Sequence, residues 1–342
     1  MSQIELVIDG DNKPVNLPDF KAIVQQCLDA AHAQSSDANS YSNYVSGITL
    51  VDESRSTAYA WVKYGPTVTM GEALTQDFVG QAINGKVDAA VRVPCVYLAF
   101  RSGNYGYIVM EYIEGSICED SDAKLVAAAV RSLITVRGPT AELGPVGGGP
   151  IKHRFFVDWE SSLTYCSVQE LERHVNGVCV PLRLALSLSH LRWFPDDDSC
   201  LTQILKYTGR DDRVSFEPEV EEHGLRLCPS DMNRSNFMKD SWGGIVALDF
   251  GHMCFLPISF FVFALREGDN FTLRIARNLK HPPSTQLNAM LTASYACVPF
   301  GTDKIGEHAS ALSFLFSCFS FPCKETDINV PHTGRYPTRA QA

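Results

Sequence analysis

Residues 225–251 read LRLCPSDMNRSNFMKDSWGGIVALDFG, and the polar side chains Asp231, Asn236 and Asp249 each follow or interrupt an apolar, strand-like run. Residues 245–248, IVAL, are apolar without alternation and follow the turn Trp242-Gly243-Gly244, so they read as a buried strand with Asp249 at its tip. A carboxylate in that position is costly unless something positive meets it. A metal ion is the obvious partner.

Asp231 and Asn236 lie in a segment too polar for a strand and too short for a helix, just ahead of the apolar patch Asn236-Phe237-Met238. A loop held between two short strands would present one carboxylate and one amide oxygen toward a second carboxylate. Phosphoryl transfer needs such a set: a base or orienter for the attacking hydroxyl, and hard oxygen ligands for Mg²⁺.

The spacing D-x-x-x-x-N (Asp231, Asn236), then strand and turn, then D-F-G (Asp249, Phe250, Gly251) resembles the protein-kinase-like superfamily, specifically its aminoglycoside phosphotransferase branch. That branch shows H-G-D-L-x-x-x-N followed by a second metal-binding Asp, and Cys228-Pro229-Ser230-Asp231 looks like a variant of its start. The resemblance implies Asp231 as catalytic base and Asn236 and Asp249 as Mg²⁺ ligands. Pro229 stands where the family has its His, mainly an organiser of the loop. The wording VALDFG followed by CFLP is most similar to phosphotransferase-like proteins common in mushroom-forming fungi.

At 342 residues the chain is long enough for two lobes with a sizeable core. Its 45% hydrophobic and 20% charged content is that of an ordinary globular protein. A net charge of -10 argues against nucleic acid or an anionic membrane as partner and suits a small, cationic or amine-bearing acceptor. The start MSQIELVIDGDNKP lacks the basic and apolar regions of a signal peptide, and the apolar runs 253–265 and 311–321 fall short of the ~20 residues of a membrane helix. A soluble, cytoplasmic protein is expected. Eleven cysteines, an odd number with no C-x-x-C pair, read as free thiols in a reducing compartment, with neither zinc nor a disulfide framework.

In chain order, helical spacing over 20–33 precedes strands at 44–51 and 57–64, a hairpin with only Gly47 where a kinase is Gly-rich. The second strand ends Ala60-Trp61-Val62-Lys63, like the kinase strand whose Lys grips the α/β-phosphates. A helix over 70–83 brings Glu72 as candidate partner of Lys63, with Asp77 as fallback. Thr69-Met70-Gly71-Glu72 is equally a capping box, in which Glu72 would merely close the helix start. Strands at 93–100 and 105–112 lead into Met110-Glu111-Tyr112-Ile113, which resembles a kinase hinge. That likeness implies adenine bonded by the main chain at Glu111 and Ile113, with Met110 as a wall. A helix over 121–137, capped by Ser121 or Asp122 and stopped by Gly138-Pro139, precedes a loop ending PVGGGP that lacks the G-K-[ST] of a phosphate loop. Helical stretches at 168–174 and 181–191 precede an acidic loop at 196–198. Asp158, Trp159, Trp193 and that loop could bind an amine, though a solvated loop and two core tryptophans suit the same residues. Buried helices at 256–265 and 271–279 and a polar tail complete the chain.

The expected fold is therefore α+β, a bilobal protein-kinase-like fold. An N-lobe over 1–112 holds an antiparallel sheet and one main helix, a mostly helical C-lobe spans 113–323, and a tail follows at 324–342. The expected activity is ATP- and Mg²⁺-dependent transfer of a phosphoryl group to a small-molecule hydroxyl. A pseudokinase-like binding module is the alternative, motivated by Pro229 and the missing Gly-rich loop.

Overall fold

Alternation of apolar side chains along the strands puts one helix on each face of a five-stranded sheet. Strands β1 (Ile4–Asp9), β2 (Ser46–Asp52), β3 (Thr57–Gly65), β4 (Val96–Ser102) and β5 (Tyr105–Glu111) pair antiparallel in the order β1-β4-β5-β3-β2. Successive side chains of a strand face opposite ways. Ala60, Val62 and Tyr64 of β3 and Tyr107 and Val109 of β5 therefore share a cluster with Ile23 and Cys27 of α1 (Phe20–Ser35). Ile108 and Met110 point the other way, packing with Met70 and Ala73 of α2 (Met70–Asn84). This structure, a computed structural model, describes residues 4–35, 46–52, 54, 56–188, 213–297 and 303–304. The expectations for Trp193, the acidic loop 196–198, the run 311–321 and the tail 324–342 lie outside the described residues.

The rest of the described chain builds a larger lobe around one hydrophobic cluster. Two small antiparallel sheets lie in it: β6 (Gly115–Ile117), β8 (Phe237–Asp240) and β9 (Ile245–Ala247) form one, while β7 (Arg226–Pro229) and β10 (Met253–Leu256) form the other. Packed about them are α3 (Ala123–Leu133), α4 (Val168–Leu188), α5 (Glu217–His223), α6 (Ile258–Arg266), α7 (Asn270–Asn278) and α8 (Leu287–Cys297). Phe155 meets Phe260 and Phe263 edge to face at its centre, and Phe216 packs tilted against Phe260. Each buried ring stabilises the lobe by roughly 1.5–3 kcal/mol through removal of apolar surface from water.

Three elements depart from their predicted bounds. The helix expected over 121–137 is a 3₁₀ turn at Asp120–Asp122 followed by α3, which ends at Leu133. Asp122 does not cap α3; its carboxylate reaches back to the Glu119 N–H at 2.9 Å and binds Lys239 Nζ at 2.8 Å. Beyond Leu133 the chain leaves the helix because Val136 O accepts the Leu227 N–H at 3.0 Å, a tertiary bond that draws it onto β7. The two helical stretches predicted on either side of residue 175 are one helix, α4, which runs through Pro181. The first strand pair is described from Ser46, and β4 begins at Val96 rather than 93.

The loop over 138–150 is docked rather than free. Gly144 pairs with Phe255 of β10, the Val146 N–H donates to Thr75 Oγ1 of α2 at 2.9 Å, and Pro145 lies against Gly71. Gly147 (φ +86°) sits where an added Cβ would lie 2.8 Å from Leu74, so glycine meets both the backbone and the space. No helix among the described residues is long and apolar enough to cross a membrane. Cys27, Cys95, Cys118, Cys166, Cys228, Cys254 and Cys297 are free thiols.

Candidate active site

The strand alternation that buries Val62 and Tyr64 against α1 turns Lys63 toward α2, whose first turn carries Glu72. Lys63 Nζ lies 2.5 Å from Glu72 Oε1 and 2.8 Å from Asp249 Oδ1. The Glu72 side chain is 3% exposed, that of Lys63 14%, and that of Asp249 41%. Burial alone would lower the Lys63 ammonium, but the two carboxylates outweigh it and raise it above the ordinary range. Burial raises the Glu72 carboxyl against the pull of Lys63. Burial works to raise Asp249 too, yet Lys63, its hydrogen bond and the Gly251 N–H hold it below the usual carboxylate range.

Of the two readings of Glu72, the ion pair takes the side chain and only the N-cap bond of the capping box forms. The Glu72 backbone N–H donates to Thr69 Oγ1 at 3.2 Å, closing the start of α2, while its carboxylate is left for Lys63. Asp77 instead accepts from Gln81 Nε2 at 2.7 Å. Asp249 adopts a left-handed conformation (φ 52°, ψ 80°), sparsely populated outside glycine, and accepts the Gly251 N–H at 3.2 Å. Such strain, of order 1–3 kcal/mol, clusters at sites where a side chain must point one way.

Asp231 follows β7 and is held by amides from its own loop. Asn233 Nδ2 donates to Asp231 Oδ2 at 2.9 Å, and Asn236 Nδ2 donates to Asp231 O at 2.9 Å. Asn233 also caps a 3₁₀ turn, Arg234–Asn236, by accepting the Ser235 N–H. The Leu248 N–H donates to Asn236 O at 2.8 Å, which sets Asn236 beside the residue that precedes Asp249. With its nitrogen committed to Asp231, the Asn236 amide has Oδ1 to offer a cation. Among the described residues no group of three or more His, Cys, Asp or Glu could hold a metal. Asn236 Oδ1 and the Asp249 carboxylate are hard oxygen donors, a chemistry that fits Mg²⁺ completed by phosphate oxygens and water better than a transition metal.

No protein-family model and no curated protein matches the chain. Among solved structures it is similar to a thermostable mutant of the aminoglycoside phosphotransferase APH(4)-Ia, with 12% identity, 83% of this chain and 94% of that one covered, and a TM-score of 0.43. It is also similar to the macrolide 2'-phosphotransferase MphH from Brachybacterium faecium (11% identity, 87% and 99% covered, TM-score 0.42) and to spectinomycin phosphotransferase APH(9)-Ia (9%, 80% and 86%, 0.38). The chain itself is α+β, a five-stranded antiparallel sheet beside a mostly helical larger lobe. At such identities the chemistry has to be carried by this chain's own residues.

At its C-terminal end β5 leads through Met110, Glu111 and Ile113 out of the sheet. Met110 is 8% exposed, and Gln76 Nε2 lies 3.5 Å from its Sδ while donating to Pro94 O at 2.9 Å. The Glu111 N–H is donated to Cys95 O at 2.9 Å. The Glu111 carboxylate is gripped by Arg92 Nη1 at 2.6 and 2.7 Å. Ile113 is buried.

Arg92 and Arg154 were not singled out from the sequence. Arg92 also bridges to β9: its N–H donates to Ile245 O at 2.8 Å and its carbonyl accepts the Ala247 N–H at 2.9 Å. Arg154 lies 4.8 Å above the Trp159 ring and 3.7 Å from Asp231 Oδ1. That face of Trp159 is covered by a cation of the protein itself and the ring meets His252 edge-on at 5.3 Å, in keeping with the packed-tryptophan reading rather than an amine site. His252 is packed rather than exposed, and burial lowers its imidazolium against the pull of Asp249 and Asp231. No spacing or motif marks either arginine in advance; the runs that bring them to the site are non-local.

Proposed function

We propose that this protein is an ATP- and Mg²⁺-dependent phosphotransferase acting on a hydroxyl of a small molecule. The observation that carries the reading is Lys63 held between buried Glu72 and the strained Asp249, with the Asp231–Asn236 loop fastened alongside. A lysine fixed by two carboxylates is pre-positioned for the α/β-phosphates, at no cost in side-chain ordering when nucleotide arrives. Asp231, its carboxylate oriented by Asn233, accepts the proton of the acceptor hydroxyl. Asn236 and Asp249 would hold Mg²⁺, which when bound neutralises charge on the phosphate oxygens. The main chain at Glu111 and Ile113 would bind adenine beside Met110. On this reading residues 1–112 cover the nucleotide and 113–323 shape the acceptor side, and the chain's acidic balance favours an amine-bearing acceptor.

A nucleotide-binding module without turnover is the second reading, motivated by Pro229 and by the absence of a Gly-rich run in the covering hairpin, where Gly47 is the one glycine of the first strand. Thermal-shift titrations with ATP and GTP, with and without Mg²⁺, test the nucleotide site, since a ligand of the folded state raises its stability. A Mg²⁺-dependent shift lost in Asp249→Ala is the expected result; no shift with either nucleotide refutes both readings. Turnover with an amine and amino-alcohol panel then separates them. The enzyme loses turnover in Asp231→Asn while keeping the shift.

A further inference from the structure

The strongest unassigned feature is a buried guanidinium in the larger lobe. The Arg154 side chain is 9% exposed, and burying a cation is expensive unless its donors are met. Nε donates to Ser230 O at 2.7 Å, Nη1 donates to Glu267 O at 2.6 Å, and Nη2 faces Asp231 Oδ1 at 3.7 Å. The main-chain N–H of Arg154 donates to Ser230 Oγ at 2.8 Å. The residue immediately before Asp231 is therefore held twice, by its carbonyl and by its hydroxyl, and Ser230 itself is fully buried. The guanidinium plane rests on Trp159, a residue with φ of 59° kept in that conformation by its N–H to Phe156 O and its carbonyl to the His153 N–H.

We propose that Arg154 is the positioning residue of the Asp231 loop, taking from a distant segment the organising part that Pro229 cannot perform. Proline has no side-chain donor and no backbone N–H. Arg154 offers a planar fork of donors, which reaches Ser230, Glu267 and Asp231 at once. Lysine, a single point charge, meets one of these partners and leaves the others. Residues that fix a reacting group from behind set its direction to within a fraction of an ångström. Arg154 acts through Ser230 and Asp231 and has no need to touch substrate.

The structural part of this proposal stands without any activity; only its kinetic arm rests on the phosphotransfer reading. Hydrogen exchange is measured on the full chain, parent against Arg154→Met, without nucleotide. The amides of residues 230–236 are expected to exchange at least tenfold faster in the variant, with α3 unchanged as the internal control. Where exchange rises throughout Arg154→Met, Arg154→Lys decides: a rise confined to 230–236 supports positioning, and a uniform rise overturns it. Parent-like exchange of the loop in both variants overturns it as well. In the kinetic arm Arg154→Met lowers kcat at least tenfold with KM for Mg·ATP within twofold of the parent, and an unchanged kcat with raised KM refutes the role. A parent that turns over no acceptor refutes the phosphotransfer reading, and exchange still decides on Arg154.

Discussion

His153, the neighbour that carries Arg154 toward the site, is fully buried, with its ring edge-on to Phe260 at 5.2 Å and its Nδ1 accepting the Phe155 N–H at 3.0 Å. Burial first, and Arg154 beside it, push its imidazolium from the ordinary 6.5 down to about 3. In the folded protein the ring stays neutral at any pH well above that value, whereas in the unfolded chain it takes up a proton below about 6.5. Between the two values the unfolded state holds one more proton. The stability contributed by the neutral ring is therefore complete above about pH 6.5 and is lost at about 1.4 kcal/mol per pH unit as the pH falls toward 3. Between pH 6.5 and 5 this amounts to about 2 kcal/mol. Urea unfolding at several pH values measures it, with His153→Asn as reference, because Asn retains an acceptor and does not titrate. At pH 7 the variant is the less stable, and the gap should close by about 2 kcal/mol on going to pH 5. Parallel curves for the two proteins would refute the reasoning.

Lys63→Met leaves Glu72 buried without its cation and should cost about 3–5 kcal/mol in chemical denaturation. Lys63→Met/Glu72→Leu should recover most of that loss, and a double variant no better than the single would sink the ion-pair argument. Gly106→Ala should destabilise by about 1–3 kcal/mol, because the new Cβ would lie 2.2 Å from the backbone oxygen of Val68; an unchanged unfolding midpoint counts against the packing described. The lowered Asp249 carboxyl contributes stability that is present above the ordinary carboxylate range near pH 4 and lost as the pH drops below it. Asp249→Asn should flatten that acid limb in a pH series of thermal melts.

Much of the fold is written in local pattern. Strand alternation at Ala60, Val62 and Tyr64 directs Lys63 to the opposite face, and the helical spacing of Met70 and Ala73 brings Glu72 to meet it. The ambiguity over Glu72 arose because a full capping box and an ion pair both claim its carboxylate; here the N-cap bond takes only the backbone N–H and leaves the carboxylate to Lys63. The overshoot of α3 has a different cause. The stop signal Gly138-Pro139 lies beyond the true end: the Ala-rich run finishes at Ala129, Ile134, Thr135 and Val136 are β-branched, and the bond between Val136 and the distant Leu227 pulls the chain away. Arg154 was invisible because an arginine without a motif looks like any solvated charge until Ser230 is brought against it.

The loop over 138–150 has a mechanical consequence. On one side α2 is bound to the sheet through Glu72 and Lys63 and through Gln76 and Pro94; on another it is bound to this loop through Thr75 and Val146. The loop is in turn stitched to β10 at Gly144 and Phe255. Any rotation that swings the sheet away from the larger lobe must snap the Thr75 bond or unpick the stitch at Gly144. The glycine-bearing strap is thus one of several ties between the lobes, beside the Lys63–Asp249 pair and the Arg92 bonds to β9, and it carries none of the residues expected to do chemistry.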